Sequence, residues 1–120
     1  MDNDTTLSAL KNAVRSFCED RDWDQFHNAK DLSIGLVTES AELIDHFRFK
    51  SSSEIEDMFN DGNKKLKITE ELSDVLFFVL RFAQMYHIDL TTELIRKIQI
   101  NNEKYPIDKC KGSNKKYTEV

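Results

Sequence analysis

Residues 68–82 decide the fold, and they read ITEELSDVLFFVLRF. Their apolar side chains recur at helical spacing and predict a long helix from about residue 66 to residue 87. Glu71 and Asp74 stand three positions apart, so both carboxylates point to one side of this helix. Glu71 falls in the same stripe as Phe78 and Phe82, which places an acid among large apolar side chains. Such a carboxylate is costly unless it is paired, protonated or bound to a metal.

A second acidic pair, Glu39 and Glu42, lies in residues 36–47, LVTESAELIDHF, on a helix predicted from about residue 31 to residue 49. Four carboxylates from two helices that face each other need a cation, and hard oxygen ligands suit Mg²⁺ or Mn²⁺. A magnesium site of this kind indicates phosphate chemistry. A solvated helix face with one satisfied buried acid stays equally open, because a chain with 22 acidic residues produces such pairs by chance.

The remaining pattern is also helical. Apolar residues at helical spacing predict a first helix over about residues 5–21, and Ser51 with Glu54 forms a capping-box pattern before a short one. Residues 60–65, NDGNKK, are expected to form a loop. Asp89 is the expected cap of a last helix that ends before Pro106. With only 3 Gly and 1 Pro, we predict an all-α fold, a small bundle of four main helices plus a short one.

The predicted domain spans residues 1–106, and residues 107–120 form a basic tail that could close over an active site. The net charge of −5 argues against nucleic acid as a partner. No signal-peptide pattern and no apolar run of about 18 residues occurs, so we expect a cytoplasmic protein with no membrane partner. Cys18 and Cys110 are expected to be reduced and structural.

Several residues outside the acidic pairs are candidates for nucleotide contacts. The aromatic rings of Trp23, Phe49 and Phe78 could stack on a nucleobase, although core packing is the more common fate of such rings. Lys97 and Asn101 share one side of the last helix and could contact phosphates or a sugar. The spacing itself favours a simpler interpretation, in which a buried Asn bonds to nearby backbone and the lysine is solvated.

These segments together resemble the MazG-like family of all-α nucleoside triphosphate pyrophosphohydrolases, in its short single-domain branch. The acidic signature is ExxE, 28 residues, then ExxD. RDWDQFH, ESAELIDHF, EELSDVLFFVLRFA and NEKYPIDKCKGSNKKYTE also resemble the branch, so the similarity covers nearly the whole chain. ExxE…ExxD alone is a weak signal, whereas its combination with the tryptophan segment and the KYP…KGS…KY tail is a strong one.

The resemblance implies Mg²⁺-dependent hydrolysis of a (deoxy)nucleoside triphosphate to the monophosphate and pyrophosphate, with dCTP-like or modified nucleotides as substrates in nucleotide-pool house-cleaning. It implies Mg²⁺ ligands, with Mn²⁺ as a possible substitute, at Glu39, Glu42, Glu71 and Asp74. The base that assists the attacking water would be Glu39 or Glu42. Substrate contacts are implied at Trp23, Phe49, Phe78, Lys97 and Asn101, and the protein is expected to be a homodimer or a dimer of dimers.

Three positions depart from the branch's pattern: Phe49 stands for a Trp, Phe78 for a Tyr, and Val14 for a His. Stacking survives these changes, whereas the hydrogen bonds that select a base are altered. Two other functions stay open from the sequence. One is a non-catalytic helical interaction or regulatory module. The other is a related pyrophosphohydrolase that acts on a different substrate, such as a phosphoribosyl-ATP or dUTP.

Overall fold

The computed structural model describes residues 1–119, and within this range the chain is all-α, which confirms the predicted fold class. The six α-helices are α1 (Leu7–Asp20), α2 (Ala29–Asp45), α3 (Ser52–Asn60), α4 (Gly62–Met85), α5 (Leu90–Lys104) and α6 (Ile107–Cys110). Short 3₁₀ helices cover Asp24–Phe26 and Tyr117–Glu119. Four helices are long and α3 is short, as predicted, and α6 adds one further turn.

Local capping explains where most of these helices begin. The Ser51 hydroxyl accepts from the backbone N–H of Glu54, and the Glu54 carboxylate accepts from the backbone N–H of Ser51. This reciprocal pair is the predicted capping box. Asp89 accepts from the N–H of Thr92 at the start of α5. Each such cap satisfies a backbone donor that has no partner inside its helix.

Two helix boundaries differ from the prediction. The helix α2 ends at Asp45, and residues 46–49 form turns in which Phe49 has a positive φ of 62°. The NDGNKK segment was expected to be a loop, and this expectation is wrong. The Asp61 side chain accepts from the N–H groups of Asn63 and Lys64, so α4 already begins at Gly62.

The chain divides into two compact units, residues 1–87 and the segment from Ile88 onward. In the first unit, α1, α2 and α3 all pack against α4. Each helix of this unit contributes to the buried apolar core, which consists of Cys18, Leu32, Met58, Ile68, Leu80 and Ala83. Both cysteines are free thiols, as expected from the sequence.

The helices α2 and α4 run antiparallel. Gly35 approaches Phe78, whereas His46, further along α2, approaches Glu71, which is earlier in α4. This arrangement places the two acidic pairs of the sequence beside each other.

The second unit contains α5, α6 and the last 3₁₀ helix. Its Tyr105 and Tyr117 rings meet edge to face with centroids 6.0 Å apart, and the Lys104 ammonium lies 4.9 Å from the Tyr117 ring. A domain boundary at residue 106 stays a prediction. Among residues 1–119, no helix combines the length and the apolar character needed to cross a membrane.

Candidate functional site

Three carboxylates of the first unit converge between α2 and α4. One oxygen from each of Glu39, Glu42 and Glu71 lies within 4.8 Å of the other two. The first two residues share a side of α2 because they are three positions apart, and antiparallel packing brings Glu71 of α4 to them. We call these three residues the acid cluster.

Glu39 is the most constrained member of the acid cluster. Its Oε2 atom is buried and has no hydrogen-bond partner within residues 1–119. Burial, then a hydrogen bond with Glu42, then the charges of Glu42, Asp74 and Glu71 together raise the pKa of Glu39 to about 7. A buried carboxylate oxygen without a donor is a group that a cation would satisfy. The donor set therefore fits a hard divalent ion such as Mg²⁺.

The pKa of Glu71 is also raised, for similar reasons, but less than that of Glu39. Burial, then a hydrogen bond with Glu42, then the charges of Glu42 and Asp74 raise the pKa of Glu71, while His46 opposes the rise. The His46 Nε2 atom lies 3.9 Å from Glu71 Oε1. The imidazole therefore lies at the edge of the acid cluster, where its cationic form would offset part of the negative charge.

Asp74, the fourth acid of the sequence motif, lies beside the acid cluster and is not among its three converging carboxylates. Its charge raises the pKa values of both Glu39 and Glu71. Asp74 and Glu39 also line the same cavity. It is thus close enough to contribute to a shared cation site.

That cavity is an aromatic cleft of about 600 Å³ in the first unit. Phe17 contacts Trp23 and Phe77 edge to face, with ring centroids 5.5 and 5.7 Å away, and Phe77 meets Phe78 at 5.5 Å. Its lining residues are Ala13, Val14, Phe17, Trp23, Glu39, Asp74, Phe77 and Phe78. We call it the aromatic cavity. It offers flat apolar faces next to the acid cluster, which suits a planar ring that carries an anionic group.

Gly35 on α2 allows the Phe78 ring, which forms one wall of this cavity, to lie close to the α2 backbone. A Cβ atom built on Gly35 would lie 2.4 Å from Cε1 of Phe78. Such a distance is a severe overlap, so only glycine lets the Phe78 ring lie against the α2 backbone.

The sequence candidates do not all reach this site. Trp23 and Phe78 line the aromatic cavity, but Phe49 does not, and its side chain is 90% exposed with the Arg48 guanidinium 4.8 Å from its ring centroid. Lys97 is exposed and Asn101 is half-buried, and both lie on α5 in the second unit. Their roles as substrate contacts stay predictions.

Sequence reasoning missed several residues of the aromatic cavity. Phe17 was assigned only to the apolar face of α1, and Phe77 was not singled out. Helical periodicity identifies both as apolar, but no local signal distinguishes a core ring from one that lines a cavity. Gly35 carried a usable signal, because an isolated glycine within a helix often marks a close packing contact.

An antiparallel helix pair with clustered carboxylates and an adjoining aromatic cavity defines an all-α protein with a possible divalent-metal site. A sequence model of the MazG-like family matches residues 34–120, and the chain belongs to this family. The match includes the acidic residues of both α2 and α4, so it spans the acid cluster.

The similar proteins are pyrophosphatases. The chain is 35% identical over 115 residues to dCTP pyrophosphatase 1 of Rattus norvegicus, covering 96% of this chain and 68% of that protein. It is 33% identical to dCTP pyrophosphatase 1 of Homo sapiens over the same length and coverage. A solved pyrophosphatase from Archaeoglobus fulgidus superimposes with a TM-score of 0.76 at 30% identity, covering 82% of this chain and 91% of that one.

Proposed function

We propose that the protein hydrolyses (deoxy)nucleoside triphosphates to the monophosphate and pyrophosphate in a reaction that requires Mg²⁺, with Mn²⁺ as a substitute. This proposal rests on the position of Glu39, where the two features of the site meet. This residue belongs both to the acid cluster and to the lining of the aromatic cavity. A nucleotide has the matching layout, because its planar base is joined through a sugar to metal-binding phosphates.

Glu39, Glu42, Glu71 and Asp74 are the residues that would hold the ion. When bound, Mg²⁺ would neutralise charge on the triphosphate and supply Lewis acidity to the reaction. Holding the ion would also resolve the repulsion among these carboxylates, which the raised pKa of Glu39 reflects.

Glu39 and Glu42 are the candidate general bases. One of these two carboxylates would accept a proton from the attacking water. The water oxygen bonds to the α-phosphorus, the bond to the bridging oxygen breaks, and that oxygen leaves with pyrophosphate.

The aromatic cavity would bind the base mainly by stacking. Its side-chain polar atoms within residues 1–119 are the carboxylates of Glu39 and Asp74 and the indole N–H of Trp23. Few groups are thus available to distinguish one base from another. The names of the rat and human relatives favour dCTP, and the apolar lining favours tolerance of modified pyrimidines. A role in removing unwanted nucleotides from the pool follows from such a preference.

The direct test measures pyrophosphate release from a panel of normal and modified nucleoside triphosphates with Mg²⁺. Running the reaction in ¹⁸O-labelled water locates the attack, because attack on the α-phosphorus places the label in the monophosphate. Label in orthophosphate or pyrophosphate would contradict the proposed reaction. Silence across the panel by a folded protein that binds no Mg²⁺ would favour the non-catalytic interaction module instead.

Glu70 and Glu71 offer a matched pair of variants, because they are neighbours in α4 and only Glu71 belongs to the acid cluster. We expect Glu71→Gln to lower kcat by about 100-fold or more, as the loss of one charge-stabilising group often does. Glu70→Gln, at an exposed position, should leave kcat near the wild-type value. Near wild-type turnover of Glu71→Gln would remove the acid cluster from the mechanism.

The protein is proposed to act as a homodimer or a dimer of dimers. The support is an exposed apolar face of α2 that consists of Ile34, Val37 and Ile44, of which the last two are each 68% exposed. These residues recur at spacings of three and seven, so they lie on one side of the helix. Apolar surface of this kind commonly marks an interface.

Residues of the second unit complete the proposal. Lys97 and Asn101 are proposed phosphate and sugar contacts, supported by their shared side of α5 and by the family resemblance. The tail after residue 106 is proposed to close over the bound nucleotide, which its lysines at positions 109, 111, 115 and 116 would favour. Alanine variants of Lys97 and Asn101 should raise KM for the triphosphate, and unchanged kinetics would remove these contacts.

A further inference from the structure

Arg81 on α4 is a buried charged residue with an unusual set of partners. Its side chain is 1% exposed. No other charged residue among residues 1–119 is buried to this degree. Its Nε–H donates to Nδ1 of His27 at 2.9 Å, one terminal nitrogen donates to Oε1 of Gln84 at 2.7 Å, and the other donates to Asp24. Every nitrogen of the guanidinium is therefore occupied.

Two of these three partners belong to one short segment, residues 21–27, which connects α1 to α2 and which we call the connector. Asp24 and His27 lie more than fifty positions from Arg81 in the chain. The backbone N–H groups of Arg21, Asp22 and Trp23 hold the beginning of the connector to the end of α1. The bonds from Arg81 hold its second half, at Asp24 and His27, to α4. Arg81 thus ties a loop to the rigid central helix of the first unit.

Trp23 lies inside the connector, directly before the ion-paired Asp24. Its indole is 37% exposed, lines the aromatic cavity, and contacts the ring of Phe17 at 5.5 Å and the ring of His27 at 6.1 Å. One partner of Arg81 is therefore adjacent to Trp23 in the chain, and the other touches its ring. Any movement of the connector would displace this wall of the cavity.

The ion pair is buried on one side only, because the Arg81 side chain is 1% exposed whereas that of Asp24 is 53% exposed. A pair with a solvent-exposed partner contributes little to stability by its charge alone. An arginine with three directed bonds does restrict geometry, because its planar donors accept partners only in defined directions. The side chain of Gln84, on the same helix, additionally fixes the guanidinium on α4.

We propose that Arg81 is a positioning residue, which holds the connector through Asp24 and His27 so that the Trp23 indole forms a fixed wall of the nucleobase cavity. The inference rests on the proposed function for the identity of the ligand. The link between Arg81 and Trp23 itself is a property of the protein without substrate.

Trp23 is the single tryptophan of the chain, so fluorescence excited at wavelengths that tyrosine does not absorb reports on this wall alone. We expect Arg81→Met to lower the fluorescence anisotropy of the substrate-free protein and to raise its quenching by acrylamide. Arg81→Lys, which keeps the charge but not the planar donors, should fall between Arg81→Met and the wild type. Arg48→Met is the matched control, since Arg48 is an exposed arginine of the same unit whose guanidinium lies over the ring of Phe49 and away from the connector. It should leave both signals unchanged.

Kinetics on the best nucleotide of the panel provide the second readout. Arg81→Met should raise KM about fivefold or more, the lower range for weakening one base–aromatic stack, with kcat much less affected because Arg81 does not touch the reacting atoms. A folded Arg81→Met protein whose Trp23 anisotropy and KM equal those of the wild type would overturn the proposal. A lower melting temperature with both readouts unchanged would also overturn it, since this outcome indicates a purely structural role.

Asp24 variants keep the proposal testable if Arg81→Met does not fold. Asp24→Asn retains an acceptor without the charge, and Asp24→Ala removes both, so the effect on Trp23 should be graded in that order. The absence of any effect in both variants would overturn the proposal. If the wild type released no pyrophosphate from any nucleotide, the proposed function would fail, and the fluorescence series would still decide whether Arg81 positions Trp23.

Discussion

At the scale of single residues, Glu39 is the one whose pKa depends most strongly on its surroundings. Its isolated chemistry is that of any glutamate, with an ordinary pKa of 4.5, yet burial and neighbouring acids raise the pKa to about 7 in the folded protein. The folded state therefore keeps a proton on Glu39 at pH values where the unfolded chain has released it. Ionising Glu39 in the folded state opposes folding, since the buried charge has no partner.

This difference predicts how the stability of the metal-free protein varies with pH. Between pH 4.5 and about 7, the folded state binds more protons at this site than the unfolded state, so its contribution to the free energy of unfolding falls as pH rises. Glu39→Gln mimics the protonated form and should lose this decline. Urea unfolding in EDTA at pH 5.5 and 7.5, with wild type and variant compared, measures it. Comparing wild type with variant cancels the contribution of His27 to the pH dependence, because His27 is present in both. The lowered pKa of His27 makes stability change with pH in the opposite direction.

An identical pH dependence of wild type and Glu39→Gln would contradict the unusual state of Glu39. The raised pKa of Glu71 should leave a smaller decline in the variant, because it acts in the same direction. An identical pH dependence of the wild type and of the double variant Glu39→Gln with Glu71→Gln, in which His27 is unchanged, would count against the whole acid cluster.

The packing of α2 against α4 explains why residue 35 is a glycine. Gly35→Ala places a Cβ atom 2.4 Å from the Phe78 ring, so we expect a loss of about 1–3 kcal/mol of stability, typical of overpacking. Nucleotide affinity should fall as well, because the displaced ring would enter the aromatic cavity. Gly62→Ala is the control, since nothing lies within 4 Å of its Cβ. Chemical denaturation of both proteins tests this, and equal stability of the two would contradict the packing argument.

At the scale of elements, one hydrogen bond joins the beginning of α2 to the end of α4. The start of α2 is held by the Tyr86 hydroxyl, which accepts from the backbone N–H of Ala29 at 2.7 Å. Tyr86 is also the C-cap of α4. One side chain therefore connects the end of one acid-bearing helix with the beginning of the other.

Removing the Tyr86 hydroxyl should have a measurable effect on stability. Tyr86→Phe leaves the Ala29 N–H without its partner, and we expect a loss of about 0.5–1.5 kcal/mol in the free energy of unfolding. Tyr105→Phe is the matched control, because the Tyr105 hydroxyl makes no hydrogen bond within residues 1–119. Thermal or urea unfolding compares the two variants. If Tyr105→Phe were destabilised as much as Tyr86→Phe, the loss would not report on this hydrogen bond.

At the scale of the whole molecule, Mg²⁺ binding should couple to folding. An ion that binds only the folded acid cluster stabilises by mass action, so saturating Mg²⁺ at about 100 times its dissociation constant should add about 2.7 kcal/mol. The rise in melting temperature should be larger at pH 8 than at pH 6, because binding must displace the proton on Glu39. Glu39→Gln combined with Glu71→Gln should abolish the rise. An unchanged melting temperature of the wild type would contradict the metal site.

Assembly is the other property of the whole molecule that can be tested. Val37→Glu places a charge within the exposed apolar face of α2, so we expect it to shift the protein toward monomer in analytical ultracentrifugation. Lys30→Glu, at an exposed position near the start of the same helix, serves as a control for added negative charge. An unchanged mass for Val37→Glu, or a monomeric wild type, would remove this face as the interface.

Much of the local structure was predictable from the sequence because its causes are local. Helical periodicity, the Ser51 capping box and the Asp89 cap depend on residues within one or two turns, and the structure contains all three. The start of α4 is the exception to the prediction but follows the same rule, because its cap, Asp61, lies within the segment 60–65 that the sequence analysis predicts as a loop. The i,i+3 spacing likewise indicated that each acidic pair shares a side of its helix.

Only the tertiary structure decided what those side chains meet. The sequence predicted that all four acids meet, but it did not separate Asp74, which lines the aromatic cavity, from the converging Glu39, Glu42 and Glu71. It also did not show that Phe49 lies outside this cavity. Nothing in the sequence indicated that Arg81, within an apolar helix, binds two residues of a distant connector. The physical reason is that secondary structure follows from neighbours along the chain, whereas burial, pKa and cavity shape depend on the helices that close over each residue.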